Sequence, residues 1–267
     1  MKTARSFARA ASGALLGAAL LALGGCATVK HPNPNDPWEP MNRGVSQFNE
    51  GVDAMVLKPV ATLYKEHVPP LVRTGVANFF GNISDVWSFV NTVLQGKPQD
   101  AADNWARVQL NTMFGVFGIF DVASEFNIER HKEDFGQTLG RWGVPAGPYL
   151  MLPLFGPSTL RDTVAMPVDR QVDMVKQIDP WGVRYSAYTM RAVNARANLL
   201  RVGDVVEEAA LDKYSFVRDA HLQRRRAEIY EPDDPRREVP PPLPPEDAPE
   251  APEAPAAAEP AKPPATR

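Results

Sequence analysis

A single cysteine, Cys26, in 267 residues excludes an intramolecular disulfide. Histidine is almost as scarce. The four, at 31, 67, 131 and 221, have no partner at metal-ligand spacing, and HExxH and similar zinc arrangements are missing. No Gly-x-Ser-x-Gly elbow occurs; Gly156-Pro157-Ser158 is the nearest serine in such company. No glycine loop ends in Gly-Lys-Ser/Thr to cradle a phosphate. Catalysis is therefore not expected, nor a metal or a cofactor. Lys and Arg number 29 against 32 Asp and Glu, a net charge of -3, with no six-residue block of one sign. That balance argues against nucleic-acid binding. The denser charge clusters, His131-Lys132-Glu133-Asp134 and Arg224-Arg225-Arg226, read as solvated. No strand pattern stands out anywhere.

The chain begins with an address. Lys2, Arg5 and Arg9 form a positive region, Ala10 to Leu23 an apolar one, and Leu23-Gly24-Gly25-Cys26 closes it. This closing tetrapeptide resembles the lipobox of bacterial lipoproteins, in which the thiol is acylated and becomes the mature N-terminus. The resemblance implies that residues 1–25 are a lipoprotein signal peptide and that Cys26 is the lipidation site. Ala27 follows where aspartate would signal inner-membrane retention, which implies the outer membrane. Residues 26–35 make a lipidated tether broken by Pro32 and Pro34.

The stretch around which the rest is organised is Trp142 to Leu160, nineteen residues without a charge. As a helix it would be long enough to cross a bilayer. Pro145, Pro148, Pro153 and Pro157, with Gly143, Gly147 and Gly156 between them, forbid that helix. Irregular apolar backbone is tolerated at membrane depth only when buried in protein or lining a cavity. A buried loop beneath a soluble helical domain is the plainer alternative.

Elsewhere the spacing predicts helices. Asp36 reads as an N-cap for a helix from Pro37 to about Val56, with Glu39 completing a capping box and Lys58-Pro59 ending it. Its apolar stripe is Trp38, Met41, Val45, Phe48, Val52 and Met55. Further helices are expected over Val60–Glu66, Leu71–Asn82, Ile83–Leu94 and Gln99–Thr112, the last with Ala102, Trp105, Ala106 and Gln109 on one side. Val108 to Phe120 is uncharged but too short to span. Arg161 to Ile178 reads as helical with a break at Pro167. A long helix follows Asp179-Pro180-Trp181, with a seam of Tyr185, Tyr188, Ala192, Ala195, Leu199, Val202 and Val206. A last helix covers Asp212 to about Ile229, with Tyr214, Val217, Ala220 and Leu222 inward. Residues 231–267 hold nearly half of the 27 prolines among Ala and Glu, a composition that cannot bury enough apolar surface to order itself. The expectation is a single all-α domain over residues 36–230 with a disordered tail.

Several short motifs now add up. Asn78-Phe79-Phe80-Gly81-Asn82, Leu94-Gln95-Gly96-Lys97, Asn111-Thr112 through Gly115, Gly118 and Asp121-Val122-Ala123, then Phe135-Gly136-Gln137-Thr138-Leu139-Gly140, Gly147-Pro148-Tyr149, Leu152-Pro153 and Leu160-Arg161-Asp162 occur in this order. With Asp36-Pro37, Glu39 and Asn42-Arg43 they resemble the MlaA (VacJ) family of outer-membrane phospholipid-trafficking lipoproteins, over about Asp36 to Arg226. The resemblance implies a helical ring within the membrane, with an amphipathic channel through which phospholipids mislocalised to the outer leaflet leave toward the periplasm. It implies partners as well: a porin trimer, the periplasmic lipid carrier MlaC, and beyond it the ABC transporter complex containing MlaD. A structural lipoprotein that scaffolds a porin or envelope complex without moving lipid is the alternative.

Under that resemblance, Gly143, Val144, Pro145, Ala146, Gly147, Pro148 and Tyr149 are expected at the channel mouth. Arg161 is a candidate for the lipid phosphate, with a structural Arg161–Asp162 ion pair as the competing role. Phe114, Phe117, Phe120, Leu150, Leu152, Leu154 and Phe155 are candidates for the surface facing membrane or porin. Asn42, Phe48 and Asn49 fall in the stretch that would act as a gate.

Overall fold

The structure, a computed structural model, describes residues 33–230. The expected signal peptide, Cys26 and the proline-rich tail lie outside the described residues. Helix α1 (Glu39–Val52) runs through a π-helical turn, Asp53–Leu57, into α2 (Lys58–His67). The long α3 (Pro70–Leu94) and α4 (Pro98–Met113) pack against each other. Two short helices follow, α5 (Val122–Glu125) and α6 (Phe135–Arg141). Strands β1 (Tyr149–Leu152) and β2 (Gly156–Thr159) form a hairpin, and α7 (Leu160–Val172), α8 (Trp181–Ala209) and α9 (Lys213–Ile229) complete the fold.

The fold is mostly helical, as expected, but several details differ. Lys58-Pro59 does not stop the first helix. The Lys58 N–H bonds back to the Asp53 carbonyl, a five-residue step, and this wider turn absorbs the donor that Pro59 lacks. Arg196 of α8 grips Asp53 with two bonds of 2.6 and 2.7 Å and pins the wide turn. The two helices expected over 71–94 are one, starting with Pro70 in its first turn, where a missing N–H costs nothing. It ends as expected at Gly96, whose φ of 69° closes the last turn: Gly96 N–H bonds Val93 O and Lys97 N–H bonds Thr92 O. Pro167 lies inside α7 without breaking it.

The largest departure is the hairpin inside the Gly/Pro-rich stretch. Tyr149 pairs with Thr159 and Leu152 with Gly156 across a turn in which Leu154 takes positive φ, as does Gly156 where β2 begins. The outer edge of β1 meets α1. Asn42 and Asn49 supply side-chain amides where a third strand would supply backbone, so the edge is not left open. Asp36 is not an N-cap either. Its carboxylate is buried and accepts from Asn42 Nδ2 (2.8 Å), Tyr214 Oη (2.5 Å) and Arg218 Nη1 (3.3 Å), tying the chain start to α1 and α9. Tyr149, Met151, Tyr214 and Leu222 form a small apolar cluster beside it, and Ala61, Ala197 and Leu200 another between α2 and α8.

Candidate functional site

The interior of this fold is polar. Helix α3 buries Asn82, Asp85, Ser88, Asn91 and Thr92, and α4 buries Asn104, Arg107 and Asn111. Arg107 is 1% exposed, whereas Leu71 is 85% and Phe117 71% exposed. The apolar side expected on α4 and the seam expected on α8 are largely exposed, as are the apolar ends of α3. Trp105, Val93, Tyr185, Leu199 and Val202 are all exposed, while Val193, Ala197 and Leu200 form the buried line of α8. On α9 the inward residues are Tyr214, Arg218, Leu222, Arg225 and Ile229.

Buried polar groups are stable when partnered, and most of these are, with Asn82 Oδ1, Gln95 Oε1 and Arg107 Nε among the buried atoms that make no hydrogen bond. Arg107 holds Asp121 through bonds of 2.6 and 2.8 Å, and Asn111 Nδ2 donates to the same carboxylate at 3.0 Å. Burial by itself would raise the Asp121 pKa; bonds from Ser124, Asn111 and Arg107 outweigh it and hold the group at about 2. Arg130 Nε reaches the buried Asp85 at 3.0 Å, its guanidinium lying against Gly81, where a Cβ would come within 2.8 Å. Burial still pushes the Asp85 carboxyl above its ordinary value, against the pull of Arg130 and Arg107.

Beside this frame lies a cavity of about 930 Å³, walled by α3, the loop before α6, α7, α8 and the end of α9. Phe80, Val86, Val90 and Leu199 give it an apolar wall; acids and bases give it a charged one. Arg225 is the centre of the charged side, bonding Asp134 at 2.7 Å and Asp162 at 2.9 Å. Arg191 bridges Asp173 and Ser84 at 3.0 and 3.1 Å. The cavity thus presents a charged and an apolar surface side by side. Among the described residues, no helix is long and apolar enough to cross a membrane.

The MlaA lipoprotein family matches residues 34–228. The chain belongs to that family. It is 34% identical over 215 residues to the intermembrane phospholipid transport system lipoprotein MlaA of Escherichia coli strain K12, covering 78% of this chain and 84% of the relative. The MlaA lipoprotein of Haemophilus influenzae is 33% identical over 220 residues, 78% of this chain and 86% of that one. A solved structure described as the structural basis for maintenance of bacterial outer membrane lipid asymmetry superposes with a TM-score of 0.63 at 34% identity, covering 71% of this chain and 96% of the other. Membership in the MlaA family makes this chain a transport lipoprotein, not an enzyme.

The expected site residues of this MlaA-family chain separate into three places. Residues 143–148 form the loop from α6 to the hairpin, Tyr149 opens β1, and none of these lines the cavity. Gly143, Val144, Pro145 and Gly147 are exposed, Ala146 and Pro148 half-buried, and Tyr149 fully buried in the small apolar cluster. Arg161 is buried too. It pairs with Asp162 at 2.9 Å, the ion pair expected as its competing role, and its backbone N–H bonds Ala146 O, so it braces this loop. Phe114, Phe117, Phe120, Leu154 and Phe155 are exposed, whereas Leu150 and Leu152 are half-buried in the hairpin. Asn42 is fully buried and Asn49 partly so, both bound to the hairpin, with Phe48 exposed between them.

The charge clusters are structural. Glu133 bonds Lys97 at 2.7 Å, His131 lies 3.3 Å from Asp103, and Arg225 is buried in its ion pairs, so none of these is merely solvated. The cavity wall itself was missed. Its signal was available in Asn78, Ser84, Asp85 and Ser88 of α3 and in Arg191, Asn194 and Asn198 of α8, polar residues at helical spacing.

Proposed function

We propose that this chain is an outer-membrane lipoprotein, anchored through Cys26, that removes phospholipids mislocalised to the outer leaflet and passes them through the amphipathic cavity to a periplasmic lipid carrier. The carrier is of the MlaC kind, feeding an ABC transporter complex with an MlaD subunit, and a porin trimer is the neighbour in the membrane. One observation carries the reading: the chain buries asparagine, arginine and aspartate while exposing Leu71, Met113, Phe114, Phe117 and Phe120. Isolated apolar residues on a surface mean little, but a polar interior beneath an apolar exterior fits a protein surrounded by hydrocarbon. The cavity offers a charged wall to a head group and an apolar wall to acyl chains.

Within this reading, Phe114, Phe117, Phe120, Leu154 and Phe155 meet lipid or porin, and the clasp of Asn42 and Asn49 on the hairpin, with Phe48, controls access. The test is outer-leaflet phospholipid content in a strain lacking the protein, complemented with wild type, Cys26→Ala or Ala195→Trp. Ala195 lines the cavity and is exposed to it, so an indole there fills the passage without disturbing the buried line of α8. Surface phospholipid should rise on deletion, fall with wild type and stay high with Ala195→Trp. An unchanged outer leaflet on deletion would favour a scaffold that moves no lipid.

A further inference from the structure

Six cationic side chains line the cavity: Arg130, Lys132, Arg170, Arg191, Arg224 and Arg225. Four of them hold carboxylates: Arg130 with Asp85 (3.0 Å), Arg191 with Asp173 (3.0 Å), Arg224 with Glu228 (3.4 Å) and Arg225 with Asp134 (2.7 Å). Arg170, in the last turn of α7, is placed differently. Its guanidinium lies over the ring of Phe155, 3.9 Å from the centroid. Among the described residues no carboxylate pairs with it and no acceptor takes its N–H groups. The neighbouring carboxylate of Asp169 is occupied by Trp87 Nε1 (2.7 Å) and the Phe135 N–H (2.9 Å), and burial raises its pKa, which weakens its claim on any cation. Lys132 has no acidic partner among the described residues either, because the adjacent Glu133 is held by Lys97 at 2.7 Å.

A guanidinium stacked by its face keeps its N–H donors in the plane, in the fork that matches two oxygens of a phosphate. The remaining acids of the cavity already have partners, so Arg170 and Lys132 are its uncommitted positive charges, in a cavity that Val86, Val90 and Leu199 also line. We infer that Arg170, held flat by Phe155 and assisted by Lys132, receives the phosphate of a phospholipid head in this cavity. The inference rests on the lipid-passage reading above and names the group that recognises the head. It also gives the exposed ring at the hairpin tip a second task, that of orienting the arginine.

The test is binding of fluorescent phosphatidylglycerol, and of diacylglycerol carrying the same dye, to the detergent-solubilised full-length chain. Wild type should favour the phosphate-bearing lipid by about tenfold or more, or about 1.4 kcal/mol. Arg170→Gln should bring the two lipids close to parity by weakening phosphatidylglycerol alone, Lys132→Gln should have a smaller effect, and Arg170→Lys should restore part of the preference. Phe155→Leu keeps the charge but frees its orientation, so a partial loss is expected. A preference that survives Arg170→Gln, or equal losses for both lipids, would overturn the assignment while leaving the passage reading in place. Failure of wild type to bind either lipid would remove both. Displacement of phosphatidylglycerol by millimolar inorganic phosphate would make this a free-phosphate site instead.

Discussion

Asn42 and Asn49, two helical turns apart on α1, hold two successive pairs of backbone groups on the same strand and its turn. Asn42 accepts from Met151 N at 2.9 Å and donates to Tyr149 O at 3.1 Å; Asn49 accepts from Leu154 N at 2.8 Å and donates to Leu152 O at 2.9 Å. The match is one of pitch. Seven helical residues rise about 10.5 Å, and three strand residues advance about 10 Å. Helix and hairpin are therefore commensurate over this length, and the hairpin moves only if α1 releases it.

The two contacts should differ in strength. Asn42→Ala strands Tyr149 O and Met151 N in a buried setting and removes a donor from Asp36, at about 2–4 kcal/mol. Asn49 is partly exposed, so water can replace its amide, and Asn49→Ala should cost about 1 kcal/mol or less. Thermal unfolding of the detergent-solubilised chain measures both. Equal losses would mean that burial does not govern the clasp.

His221 should make the fold sensitive to mild acid. Burial, followed by Arg225 and Arg224, pushes its pKa down to about 4, while Asp162 and Asp134 pull the other way. An unfolded histidine titrates near 6.5. The unfolded chain thus takes up this proton first, so the stability is complete above pH 6.5 and is lost as pH falls toward 4. About 2 kcal/mol should go between pH 7 and pH 5. His221→Gln should flatten that part of the stability profile, and an unchanged slope would reject the assignment.

The phenylalanine turn depends on two glycines. A Cβ on Gly115 would stand 2.1 Å from Phe120 O, and one on Gly118, at φ 91°, 2.4 Å from Asn82 Cβ. The first clash is with backbone, which cannot swing aside. Gly115→Ala should cost about 3 kcal/mol or more, and Gly118→Ala about as much. Phe117→Ser, on an exposed ring, should barely alter unfolding but should loosen membrane retention of the Cys26→Ala variant. Membrane fractionation separates the two effects.

Arg225 joins α9 to both α6 and α7. Its loss in Arg225→Leu leaves the mostly buried Asp162 without its main counter-charge and frees the half-exposed Asp134 to water. A cost of about 3 kcal/mol is expected, partly recovered by adding Asp162→Asn. Additive losses in the double variant, followed by chemical denaturation, would show that the two groups do not interact.

Much of the helical layout was legible in the residues, because period and punctuation are local. Pro98 and Gly96 marked the turn between α3 and α4, and the 3.6-residue rhythm of α8 was visible along its length. Which face turned inward was not, since that depends on the surroundings. Trp105 and Val202 face out, and Asn104 and Asn194 face in, the arrangement that the proposed hydrocarbon surroundings would favour. The hairpin escaped because Pro153 and Pro157 disguise it, and its edge bonds come from asparagines more than a hundred residues away. Arg225 looked like one of three solvated arginines. Only the approach of Asp134 and Asp162 from distant segments gives it a buried role.

The polar interior also bears on temperature. Heat capacity rises on unfolding when apolar surface becomes hydrated and falls when polar surface does. Among the described residues of this chain, asparagine, threonine and arginine are among the most buried side chains, and the apolar clusters are small. Its unfolding should therefore carry a low heat-capacity increment and its stability curve should be shallow. A shallow curve keeps its two zero crossings far apart, which suits an envelope protein whose surroundings warm and cool with the medium outside the cell.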